Sequence, residues 1–297
     1  MRRRRRSSTG FVVLALLLAA ACGGMAPEQS RGPLRILVTN DDGIEAPGLQ
    51  ALADALMPLG TVTVAAPRDP RSGVSHGVTS DRSIAVEESE RQGATWFSID
   101  ALPATCVRLA LEALLSEKPD LVVSGINRGE NLGTVTFYSA TVAGAREAAF
   151  LGIPSIAVNL AAGKGMDYKA AAGIMADIVR AVGKDGIPKG AFLNVNIPGL
   201  PRESIRGVRI TKQDTRAPLE FFEKTVSPEG ATEYKPSWKH HEPAGEDTDI
   251  WAVRNGYVSI SVLGFDQSAA AGATARKSLK RLESKFKPYR TTSVQIQ

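Results

Sequence analysis

Short apolar runs alternate with longer stretches of helical periodicity between residues 35 and 198. The runs at 35–39, 61–66, 121–124, 155–158 and 192–197 read as strands. The stretches at 47–57, 105–115, 140–151 and 168–182 read as helices. Apolar strands separated by helices predict an α/β, Rossmann-like fold, with a mostly parallel sheet and helices on both faces. Residues 78–86 and 96–99 predict a more exposed β pair, inserted after the second strand.

Past Pro198 the pattern changes. Residues 199–250 hold many charges and prolines and little clean periodicity, which predicts an extended arm with a possible strand at 208–211. A strand pattern returns at 256–263, and 269–286 has the pattern of a terminal helix with a Lys/Arg face, most simply a solvated one. The expected organisation is a core at 34–198, followed at 199–297 by an arm, a late strand and a C-terminal helix of the same domain.

The first residues form a separate region. Arg2 to Arg6 precede an apolar run from Phe11 to Ala21, which is short for a membrane span. Leu18-Ala19-Ala20-Ala21-Cys22 resembles a bacterial lipoprotein signal. That resemblance implies a signal peptide at 1–21, lipidation at Cys22, a tether at 22–33, and a protein exported to the periplasm or cell surface. An ordinary secretory peptide cut after an Ala-x-Ala site is the alternative. The formal net charge of +5 includes the five arginines of this segment, and without it the charge is zero. A role in coating duplex nucleic acid therefore loses its support. Apart from Cys22 only Cys106 remains, so no internal disulfide is expected and stability must come from a core.

The candidate chemistry sits at strand ends. Ile36-Leu37-Val38-Thr39 runs into Asn40-Asp41-Asp42-Gly43, and Pro47 suits the first position of a helix. Adjacent strand side chains point to opposite faces, so the two carboxylates converge only if the chain turns, which Gly43 permits. Converged carboxylates repel unless a cation lies between them, and oxygen ligands suit Mg, Mn or Ca. Three more segments follow later elements: 66–73 with Arg68, Arg71, Ser72 and Gly73; 124–133 with Asn127 and Asn131; and 138–144, a helix start with Ser139 and Thr141. Free N–H groups at such a start attract phosphate. One sheet edge carrying carboxylates, neutral oxygens, cations and a helix start suits metal-assisted hydrolysis of a phosphate ester. Each piece has a plainer reading, as a surface turn, a surface charge or a helix cap. Cys106 reads as a small buried residue.

These same residues carry a family resemblance. The stretch at 36–55, the segment at 66–73, Ser124-Gly125-Ile126-Asn127 with Asn131-Leu132-Gly133 and Tyr138-Ser139, and Thr248-Asp249 with the strand at 256–260 resemble four ordered motifs of the SurE (survival protein E) nucleotidases. The resemblance implies a divalent-metal phosphomonoesterase acting on nucleoside 5'- and 3'-monophosphates, with one metal ion (Mg, Mn or similar) per subunit. It implies Asp41, Asp42, Ser72 and Asn127 as metal ligands, and Asp41, Asp42 and Asn127 as catalytic. Asn40, Gly73, Asn131, Ser139 and Thr141 would line the phosphate pocket. It further implies a homodimer or homotetramer that exchanges C-terminal segments.

Two rival classes have their own features. Gly73-Val74-Ser75-His76-Gly77 matches the nucleophile elbow of a serine acyl hydrolase, with His240 or His241 as the base, but the residues after it do not read as a helix. A lipid-anchored protein that binds phosphate or nucleotides without turnover would use the same pocket. The paired carboxylates oppose it, because a bare anion site gains nothing from them.

Overall fold

The structure, a computed structural model, describes residues 33–266 except 184, 185, 218 and 240, with the backbone alone at 219–221 and 238. Residues 1–32, including Cys22, and the helix expected at 269–286 lie outside the described residues.

The elements run in the predicted alternation. They are β1 (Leu34–Thr39), α1 (Pro47–Leu56), β2 (Gly60–Pro67), β3 (Val86–Arg91), β4 (Ala94–Ile99), α2 (Pro103–Leu109), β5 (Leu121–Arg128), α3 (Ala140–Phe150), β6 (Ser155–Leu160), α4 (Tyr168–Val182), β7 (Ala191–Ile197), β8 (Val208–Thr211), β9 (Leu219–Val226), β10 (Thr232–Lys239), α5 (Asp249–Arg254) and β11 (Val258–Gly264). One nine-stranded sheet has the order β3-β4-β2-β1-β5-β6-β7-β11-β8, and β9 and β10 form a separate antiparallel hairpin. The stretch from β4 to β7 is parallel.

Alternation along β1 explains the two-sided core. Ile36 and Val38 join the cluster under α1 and α4, while Leu37 joins the opposite cluster with Cys106 and Val107 of α2. Leu121 and Val123 of β5 divide from Val122 in the same way. Strands buried on both faces need apolar residues at both parities, which is why they read as continuous apolar runs. Gly144 of α3 lets that helix approach the sheet closely: a Cβ there would lie 2.8 Å from Ser124 Oγ and 3.3 Å from Thr39 Cγ2. That approach brings the start of α3 to the carboxyl ends of β1 and β5.

Three local expectations are corrected. The β pair is Val86–Arg91 with Ala94–Ile99, not 78–86 with 96–99. Gln92 and Gly93 both take positive φ, as a two-residue hairpin turn requires. The turn therefore sets Val86 opposite Ile99, and 78–85 becomes a connection. Helix α2 begins at Pro103 and passes into a π-helical turn at Ala110–Leu114, rather than running as one helix over 105–115. The arm holds a hairpin, β9 with β10, and the short helix α5, none of which carries a clear apolar period in sequence. The late strand β11 pairs antiparallel with β7, so residues after 198 complete the main sheet.

Candidate active site

The site lies where the connectivity of the sheet reverses. Strand β1 has β2 on one side and β5 on the other, the arrangement that opens a crevice beyond the carboxyl ends of parallel strands. The chain leaves β1 through Asn40 and Asp41. Gly43 has φ +97°, and Asn40 Nδ2 donates to its carbonyl oxygen at 2.9 Å, bracing the turn. The backbone ties this turn to its neighbours: Ile44 N donates to Pro67 O at 2.8 Å and Arg71 N to Asp41 O at 2.7 Å.

The two carboxylates engage different elements. Asp41, 3% exposed, accepts from the Thr141 hydroxyl in the first turn of α3. Asp42 accepts from Arg128 N at the end of β5, at 3.2 Å. Burial pushes the Asp41 carboxyl up to about 7; the Thr141 hydroxyl opposes that shift and the Asp42 charge adds to it. Burial also raises Asp42, against the Arg128 N–H.

A cavity of about 920 Å³ opens beside this turn. Asp41, Ser72, Gly73, Asn127, Asn131 and Ser139 line it together. Asn40, Asp42 and Thr141 complete the set through their bonds to the Asp41 turn, to Arg128 and to Asp41 itself. The Ser139 hydroxyl caps α3 by accepting from Val142 N at 3.1 Å. Asn131 is held from behind: its N–H donates to Asn196 Oδ1 at 2.8 Å, its Nδ2 to Asn159 Oδ1 at 2.7 Å, and its carbonyl accepts from Asn194 and Asn196.

Some cations differ from expectation. Arg68 pairs with Glu87 at 2.9 Å and Arg71 with Asp100 at 3.4 Å, so both brace the edge of the sheet. The cations that line the cavity are Arg128, Arg216, Lys239 and Arg254. The last three come from the arm, where the sequence offers no pattern to place them. Arg216 is held against the buried Asp214 by bonds of 3.2 and 3.1 Å. Tyr138 and Val135 supply an aromatic and an apolar wall.

A hard divalent cation fits the donor set near Asp41. Asn127 Nδ2 is committed to Gly129 O at 3.0 Å, which leaves the amide oxygen free to serve as a ligand. Among the described residues no group of three His, Cys, Asp or Glu could hold a metal, so an ion here would combine carboxylates with neutral Ser and Asn oxygens. The nucleophile-elbow reading fails on geometry: no helix follows Ser75, and its hydroxyl donates to Phe137 O at 2.5 Å. Cys106 is buried, and burial pushes its thiol well above the ordinary value, so it is a packing residue.

A switch-point crevice holding carboxylates, neutral oxygens, cations and a capped helix start defines a hydrolase site for a phosphorylated small molecule. The model of the family "Survival protein SurE" matches residues 36–219, and the chain belongs to that family. The 5'-nucleotidase SurE of Geobacter sulfurreducens is 44% identical over 250 residues, covering 82% of this chain and 93% of that protein. The Aquifex aeolicus 5'-nucleotidase SurE is 42% identical over 252 residues, covering 83% of this chain and 97% of that one. The crystal structure of the Aquifex aeolicus SurE protein superposes with a TM-score of 0.73 at 41% identity, over 84% of this chain and 99% of that one.

Proposed function

We propose that this protein is a divalent-metal-dependent phosphomonoesterase that hydrolyses nucleoside 5'-monophosphates, and 3'-monophosphates, to nucleoside and phosphate. The observation that carries the reading is the buried Asp41 carboxylate, which shares a cavity with Ser72, Asn127 and the start of α3. In this reading Asp41, Asp42, Ser72 and Asn127 hold the ion. When bound, the ion polarises the phosphoryl oxygens and lowers the pKa of a coordinated water.

The chain's own groups do the rest. The N–H groups at the start of α3 and the Asn131 loop face the phosphoryl oxygens and stabilise the charge that grows on them. Thr141 fixes the rotamer of Asp41 by donating to it. Arg128 adds positive charge at the cavity wall, and Tyr138 offers an aromatic face on which a base can stack. The decisive experiment is phosphate release by the purified protein from a panel of 5'- and 3'-nucleotides, with Mn or Mg and again with EDTA. Release that needs the metal is expected. A folded, metal-binding sample that releases nothing from any nucleotide would end the assignment in favour of ligand binding without turnover.

Two features complete the proposal. The segment at 1–22 supports export and lipidation at Cys22, which labelled palmitate incorporation, lost in Cys22→Ser, would report. The exposed apolar residues Phe222, Val226 and Tyr234 on the β9–β10 hairpin support a homodimer or homotetramer formed through the arm. Light scattering on the purified protein reads that state directly, and a monomer would refute it.

A further inference from the structure

The sequence Gly73-Val74-Ser75-His76-Gly77 is not a nucleophile elbow, yet two of its side chains make bonds that the catalytic reading does not use. The Ser75 hydroxyl donates to Phe137 O at 2.5 Å, and Ser75 N donates to Tyr138 O at 3.0 Å. Both acceptors immediately precede Ser139, the cap of α3. Ser75 also takes φ +53°, a conformation a serine adopts only when its surroundings hold it there. One residue on, His76 Nε2 lies 2.8 Å from Glu147 Oε2. Glu147 sits on α3 two turns beyond the cap, 2% exposed, and its other oxygen lies 2.5 Å from the Arg108 guanidinium of α2. The imidazole also stacks on Phe150, with ring centroids 5.2 Å apart and 19° between planes.

A buried carboxylate is costly unless it is paired and hydrogen-bonded. Glu147 meets that cost with one partner from α2 and one from the loop that carries Ser72. On the other side of Ser72, Arg71 N is bonded to Asp41 O at 2.7 Å. Ser72 is therefore spanned by two fixed points, one on the Asp41 turn and one on α3.

We infer that Ser75 and His76 form a clasp onto α3, through the Phe137 and Tyr138 carbonyls and Glu147, that positions Ser72 against the carboxylate turn and the helix start. His76 is a positioning residue in this account, acting through Ser72. The inference rests on the reading of Ser72 as a metal ligand. Its physical content is preorganisation. A hydroxyl on a free loop must be ordered each time an ion binds, whereas a clasped one is already in place. The clasp also makes the metal side and the phosphate side of the cavity one rigid unit, because α3 carries both Glu147 and the Ser139 cap.

The test is direct calorimetric titration of the purified protein with Mn, with thermal melting of the metal-free samples alongside. His76→Ala is expected to bind Mn about tenfold more weakly, the range seen when a supporting partner of a metal ligand is removed. His76→Gln keeps a donor of similar reach to Glu147 and is expected to restore most of the affinity. In Ser72→Ala, which itself loses Mn affinity, adding His76→Ala is expected to cost nothing further, because the ligand that the clasp positions is gone. Unchanged Mn affinity in folded His76→Ala overturns the clasp. A Gln variant as weak as Ala, or a full second loss in the double variant, overturns it as well, since either pattern signals general loosening of the fold. If Ser72→Ala binds Mn normally, the ligand assignment of Ser72 falls and the clasp falls with it. If His76→Ala does not fold, wild type and the Gln variant carry the comparison, read as hydrogen exchange at residues 71–77 with and without Mn. Metal-free wild type is expected to be protected there already, and a segment that becomes protected only when Mn is added overturns the inference.

Discussion

Asp41→Asn separates the stability of the metal-free protein from its function. The Asp41 carboxyl is raised from 3.8 to about 7, chiefly by burial, with the Asp42 charge adding to it. A carboxyl whose folded value exceeds its unfolded value holds its proton longer in the folded state. Between those two values the folded state binds the extra proton, so stability falls as pH rises. Above about pH 7 the full penalty applies, on the order of 4 kcal/mol for a shift of this size. Asparagine has nearly the same shape, carries no charge, and can accept from Thr141 through its amide oxygen. The EDTA-treated variant should therefore match wild type below about pH 4 and exceed it near about pH 8, by up to about 4 kcal/mol or roughly 10 °C in Tm. Added Mn should stabilise wild type and leave the variant unmoved, and the variant should lose most of its turnover. The measurement is paired thermal melts at the two pH values, so that every other titrating group cancels in the difference. A wild type minus variant difference that does not change with pH would refute the argument that Asp41 is buried at the cost of its charge. An active Asp41→Asn enzyme would refute its role.

Other expectations are narrower. Ser139→Ala removes the cap of α3 and should cost about 1 kcal/mol in denaturant melts, together with a higher KM for nucleotide. Phe192→Ala opens a cavity among Val142, Ala145 and Ala149 and should destabilise by about 3–5 kcal/mol, seen as a lower denaturant midpoint at an unchanged slope. Asp214 is held at about 2: burial alone would raise it, and its bonds from Arg216 and Ala244 N outweigh burial. Its contribution is present above its unfolded value near 3.8 and lost as pH falls through about 2. Asp214→Asn should therefore cost about 2 kcal/mol at neutral pH, with the gap to wild type closing in acid; a gap that persists at about pH 2 would contradict the pairing.

Much of the fold, and the shared cavity of several candidate residues, were legible in the residues alone. The parallel core was readable because strands buried on both faces must be apolar at both parities, and because Pro47 suits the first position of a helix. Asp41, Ser72, Asn127 and Ser139 were readable because a sheet of this class gathers its strand-to-helix connections on one edge, so local motifs predict a shared place. Other features depended on contacts distant in sequence. Whether the Asp pair shares one partner or two was set by Thr141 on α3 and Arg128 on β5. Arg68 and Arg71 look like ligand-binding cations until Glu87 and Asp100 are seen beside them. Arg216 looks like a surface charge until Asp214 holds it at the cavity wall. The clasp of His76 on Glu147 joins residues 71 positions apart. The strands and helices of the parallel core follow from the residues alone, because burial period and turn chemistry are local properties. Which charged groups meet, and therefore which face a ligand, was decided only by the tertiary structure, because an ion pair depends on a partner that the chain supplies from somewhere else.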